Sequence, residues 1–236
     1  MNKKLLLLAI AVLCLGTFAS ADNFVIFPDR ASQNPNDIID WSQLGPAFTF
    51  VSTPAAISTF NGNTALAGNI TGGDFIRVDE GNGWNGGFDF LETLVWTGNP
   101  NFIPGTGFGP FAIALSTPVS SVGFSIEADL IAPFTYTVDL LDASGATLFT
   151  YTANGNFGCG FANGCVSFFG AGDLNGNNIA GIVISTDSGD PVWNNDFAID
   201  DVSLGSTSSV PEPGSLVLLG SGLLGVAGIV RRKLGV

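Results

Sequence analysis

Two neighbouring stretches restrict the fold more than any other part of the chain. In "FAIALS", Phe111, Ile113 and Leu115 alternate with Ala112, Ala114 and Ser116, and in "VGFSIEADL" Val122, Phe124, Ile126, Ala128 and Leu130 share one face. A repeat of two fits a strand, whose successive side chains point to opposite faces, and cannot supply the stripe of a helix. "FTYTVDLLDASGATLFTYTA" continues the pattern as two strands around Asp142, Ala143, Ser144 and Gly145, where glycine supplies the positive φ of a tight turn. Further strands are expected at 24–27, 48–52, 74–80, 89–97, 165–169, 179–186 and 197–204. No convincing helical stretch interrupts them. Glycine, serine, threonine, asparagine and phenylalanine are frequent while long charged helix formers are scarce. The expectation is an all-β chain with a single β-sandwich, jelly-roll-like, over residues 22–205. That length is enough for a sizeable core.

The closing strand contains an irregularity. In "NDFAIDDVSL", Phe197 and Ile199 share one parity and Val202 and Leu204 the other, so a β-bulge at Asp200 and Asp201 would absorb a one-residue phase change. The stretch resembles the closing strand of some lectin-like and carbohydrate-binding jelly rolls. Asp196, Asp200 and Asp201 are the candidate metal ligands, with calcium as the cofactor, because its hard ion takes carboxylate oxygens. The favoured reading is that these acids cap backbone amides beside the bulge. "DLNGNN" places Asp173, Asn175 and Asn177 like the start of a calcium loop, but Ile184 stands where a bidentate acid is required, so a polar turn is expected.

Charge and residue choice exclude several functions. Between the two ends of the chain, 19 acids face only Arg30 and Arg77, a balance that repels nucleic acid. The chain has no histidine, which removes Ser-His-Asp and Cys-His catalysis and histidine-ligated zinc. A glycosidase needs only two carboxylates. Asp79 with Glu80, Glu92, or Glu127 with Asp129 would be the pairs available, as a distant alternative to a chain that is not an enzyme. Trp84 and Asn85 in "DEGNGWNGGFD", and Trp193 in "GDPVWNND", are the candidate glycan contacts, since sugars stack on aromatic faces while amides and acids meet their hydroxyls. Tryptophans plugging the ends of the sandwich are the alternative. Cys159 and Cys165 are expected to close a small disulfide loop, with two free thiols as the alternative.

The two ends concern destination. Lys3 and Lys4, an apolar run and Ala19-Ser20-Ala21 read as a signal peptide over residues 1–21, cleaved after Ala21 with Ala19 as the other small residue of the site. A linker follows the domain at 206–209. Residues 210–236 then contain Val210-Pro211-Glu212-Pro213, an uncharged run at 216–230 and Arg231-Arg232-Lys233. As a helix the run would span roughly 22 Å, short of the roughly 30 Å hydrocarbon core. The basic residues after it place the C-terminus on the cytoplasmic side.

This order resembles the PEP-CTERM sorting signal, also called the ice-binding protein C-terminal domain. The resemblance implies a transmembrane sorting helix at 216–230 with a basic tail at 231–233. It further implies recognition near Pro211-Glu212-Pro213 by an exosortase, a membrane peptidase of Gram-negative bacteria that make exopolysaccharide. The protein is then expected to cross the inner membrane, to be held there as an anchored precursor, and to end at the cell surface or outside the cell. A non-catalytic structural or adhesive role in the surface or the exopolysaccharide and biofilm matrix is the favoured reading. A carbohydrate-binding, calcium-dependent lectin-like module, with extracellular polysaccharide as partner, is the alternative.

Overall fold

A computed structural model describes residues 23–98, 109–157, 164 and 166–206. The signal residues Ala19 and Ala21, Cys159 and Cys165, the 206–209 linker beyond Ser206 and the entire sorting tail lie outside the described residues. The chain divides after Ser206.

The first eight strands are β1 (Phe24–Ile26), β2 (Asp37–Ile39), β3 (Thr49–Val51), β4 (Ala55–Ser58), β5 (Thr64–Asn69), β6 (Phe75–Glu80), β7 (Gly83–Trp84) and β8 (Thr93–Trp96). The remainder are β9 (Phe111–Val119), β10 (Ser121–Ala128), β11 (Phe134–Leu141), β12 (Thr147–Gly155), β13 (Ser167–Asp173), β14 (Ile179–Asp187), β15 (Phe197–Ile199) and β16 (Val202–Gly205). The larger sheet runs β1-β13-β10-β15-β8-β6-β3, with β16 between β10 and β2 and with β7 beside β6. The smaller runs β12-β11-β14-β9-β5-β4. Among the described residues all strand pairs are antiparallel except β6 with β7.

The period of two decides which side chains meet between the sheets. Phe111 and Ile113 of β9 and Val138 of β11 are buried with Val122 and Phe124 of β10 and Phe197 of β15 in one core. Rings cross the interface directly: Phe75 lies edge-on to Phe111 at 5.2 Å, Tyr151 meets Phe169 at 5.4 Å, and Phe24 stacks on Phe149 at 4.7 Å. Each such ring contributes on the order of 2 kcal/mol through removal of apolar surface from water. The chain is therefore mostly β, in two sheets packed on a shared core.

The opposite parity of the larger sheet builds a third layer. Ile76 and Val78 of β6, Leu94 and Trp96 of β8 and Ala198 of β15 point away from the main core and pack with Trp84 and Phe88. Residues 81–92 cover this face, which is why the strand expected from 89 starts only at Thr93. Ile199 pairs with Ile126 while Ser203 pairs with Gly123, so the register slips by one residue across Asp200 and Asp201. That is the bulge the parity change demands. A short helix, α1 (Arg30–Gln33), has a reciprocal capping box between Asp29 and Ser32.

Candidate functional site

Two acids, Glu80 and Glu127, are buried on the outer face of the larger sheet. Glu80 ends β6, and Glu127 on β10 shares the outward parity of Ser125. Gly81 and Gly83 take φ of 82° and 105°, conformations open to glycine, and reverse the chain so that Trp84 returns over the sheet. Trp84 is 5% exposed, lies edge-on to Trp96 at 6.1 Å, and donates Nε1–H to Glu127 Oε2 at 3.1 Å.

Successive amides then alternate between the two carboxylates. Gly86 N–H donates to Glu80 Oε2 at 3.2 Å and Gly87 N–H to Glu127 Oε2 at 2.9 Å, and the Phe88 amide again faces Glu80. A Cβ at position 86 would run into Glu127 Oε2 and Trp84 Nε1, so only glycine fits. Glu80 is fully buried, and its Oε1 has no hydrogen-bond partner among the described residues. Burial, opposed by the Gly86 amide and reinforced by Glu127 and Glu92, pushes the Glu80 carboxyl up to about 7.

The three candidate calcium ligands are each engaged by the protein. Asp196 accepts Trp96 Nε1–H at 2.7 Å, and burial raises its carboxyl to about 6 against that bond. Asp200 accepts Ser125 N–H at 2.6 Å and pairs with Arg30 Nη2 at 2.7 Å, yet burial outweighs the guanidinium and holds its carboxyl above the usual range. Asp201 Oδ1 accepts Trp41 N–H at 3.2 Å, and burial pushes this group up to about 7. Asp196 lies before β15 and Asp200 after it, so three intervening strand residues separate their bonding sites. Among the described residues no three acids gather as a metal site. In this structure the three acids act as caps, their lone pairs satisfying amides, an indole and a guanidinium.

The candidate glycan contacts are also not brought together as an exposed rim. Trp84 is buried, Asn85 is exposed and Trp193 is half-buried. Trp84 fills the third layer, and its buried indole N–H finds its acceptor in Glu127. In the "DLNGNN" turn, Asp173 accepts Asn175 N–H at 2.8 Å and Asn178 Nδ2–H at 2.7 Å, a polar turn closed by its own acid. An open groove of about 490 Å³ at the ends of β11, β12 and β14 is lined by Phe134, Asn154, Phe157 and Asp187. Sequence reasoning did not find this groove, because its walls come from three separate strands. Nor did it pair Glu80 with Glu127, although the Gly86-Gly87 dipeptide after Trp84 marks a close backbone approach.

Fold and site together define a two-sheet β protein whose buried acids are spent on its own donors. Its ending carries the specific signature: residues 209–233 match the PEP-CTERM protein-sorting motif. That motif implies processing by an exosortase and an exported, membrane-anchored precursor. The curated proteins contain no match to the chain. Among solved structures, the chain is similar to a DUF4465 family protein from Bacteroides caccae, with 12% identity, a TM-score of 0.38, and coverage of 78% of this chain and 100% of that one. It is also similar to the enzymatically active domain of bacteriophage CBA120 tailspike protein 4, with 14% identity, a TM-score of 0.30, and coverage of 70% of this chain and 20% of that one. Likenesses this distant say nothing about activity.

Proposed function

We propose that the chain is an exported exosortase substrate whose β domain, wound as a jelly roll, is a non-catalytic structural or adhesive component of the cell surface or exopolysaccharide matrix. The sorting motif at residues 209–233 carries this reading. The third layer supports it, since Glu80, Glu127, Asp196 and Asp200 are buried against protein donors rather than set across a cleft. Residues 1–21 act as the signal peptide, and 216–230 hold the precursor in the membrane until processing.

The lectin-like reading has one observation in its favour: the groove that combines half-exposed Phe157 with Asn154 and Asp187, an aromatic face beside polar groups. Co-sedimentation of the exported protein with the host's extracellular polysaccharide, with and without calcium, separates the two readings. The structural reading predicts neither saturable nor calcium-sensitive binding. Saturable binding reduced tenfold or more by Phe157→Ala would replace it with a carbohydrate-binding module.

A further inference from the structure

The loop over the outer face is held by an arrangement that depends on how many charges it encloses. Glu80 and Glu127 come from β6 and β10, strands that do not pair with one another, and residues 84–88 join them through the alternating amides and the Trp84 indole. One carboxylate can be held by such donors. Among the described residues a second buried charge beside it has no cation free to offset it.

The surrounding groups make this deficit specific. Along β6, Arg77 has the opposite parity from Glu80 and is already paired to Asp79 at 2.7 Å. From the segment leading into β8 comes Glu92, whose Oε2 accepts Asp89 N–H and whose charge raises Glu80 further. On β10 and beyond it stand Asp129, raised by burial and then by Glu127, and Asp196, bonded to Trp96. From α1, Arg30 is committed to Asp200 Oδ2 and the Asp201 carbonyl. Glu80 Oε1 is buried without a hydrogen-bond partner among the described residues, so an ionised Glu80 would keep part of its charge unsolvated.

We propose that residues 81–92 form a pH-sensitive strap: while the buried Glu80 is neutral the strap stays closed, with Trp84 packed on Trp96, and ionisation of Glu80 beside Glu127 loosens it. The Glu80 carboxyl, pushed up to about 7, sets the range in which this happens. Opening frees the amides of residues 86–88 and uncovers Trp84, Phe88 and Trp96, while the main core on the other face of the sheet stays packed. The exposed Phe90 and Leu91, 61% each, move with the strap.

The test is amide hydrogen exchange of the full-length protein from pH 6 to pH 8.5, expressed as protection factors so that intrinsic exchange is removed. Protection at residues 84–88 is expected to fall tenfold or more over this range, while the β10 and β13 amides around Phe124 and Phe169 keep theirs. Glu80→Gln keeps an acceptor for the Gly86 amide and removes the second charge, so its strap should stay protected at pH 8.5. Glu127→Gln serves the same purpose should Glu80→Gln not fold. PH-independent protection at 84–88 in the native protein, or the same loss in a folded Gln variant, would overturn the proposal. Restoration of protection at pH 8.5 by calcium and its loss with a chelator would overturn it as well, since the pair would then be a cation site.

Discussion

Trp84→Ala lowers the stability of the protein by about 3–5 kcal/mol, the cost of removing a buried tryptophan, and its Tm by roughly 10 °C for a domain of this size. The side chain is 5% exposed, fills the layer against Trp96, and supplies Glu127 with a donor. Truncation therefore opens a cavity and leaves a buried carboxylate short of a hydrogen bond. Trp193→Ala, at a half-buried loop position, is expected to cost under about 1 kcal/mol. Thermal unfolding followed by circular dichroism checks both. A Trp84→Ala protein that melts like the parent would mean that the ring does not hold the outer layer, and would return it to the role of an exposed binding platform.

The second large effect is on pH dependence. Glu80, Asp196 and Asp201 keep their carboxyls above the ordinary values of 4.5, 3.8 and 3.8, at about 7, 6 and 7. Between the ordinary and the raised values the folded chain binds more protons than the unfolded one, so its stability falls as pH rises. The contribution is fully present below the unfolded values and is lost as pH passes through about 6 to 7. Asp29 and Asp142, lowered by hydrogen bonds to Ser32 and Ser144, act in the opposite sense and lose their contribution as pH falls below the ordinary range. The expected result is a Tm that is highest near about pH 4 and roughly 10 °C or more lower at pH 8. A Tm that is flat or rises over that interval would show that the buried acids are ionised at no cost.

The main core was legible because its period of two is strong. Phe111, Ile113, Phe124, Ile126, Val138 and Ile182 face inward as their alternation requires. The bulge at Asp200 and Asp201 was legible for the same reason, since a change of apolar parity within one strand has few other solutions. The short strands β2, β4 and β5 were not anticipated. "DII", "AAIS" and "TALAGN" bury small side chains or pair over only a few residues, and such segments have little periodic signal. The third layer escaped for a different physical reason. Sequence pattern assigns one buried face to a strand and leaves acids on the other to solvent. Here residues 81–92 cover that other face, and Trp84, Gly86 and Gly87 turn outward acids into buried ones. The tryptophans were visible as unusual, but an indole N–H that needs a sugar hydroxyl and one that needs Glu127 look the same in a sequence.

The claim that this domain is delivered to the cell surface rests on the motif at residues 209–233. The most direct test is the intact mass of the protein recovered from the envelope and extracellular fractions of an exosortase-bearing host, for the parent and for a Pro211→Ala/Pro213→Ala variant. The account predicts a parent chain that starts at Asp22 and has lost the segment containing 216–230, and a variant that retains that segment. Equal processing of the two chains, or a parent recovered at full length in every fraction, would contradict it.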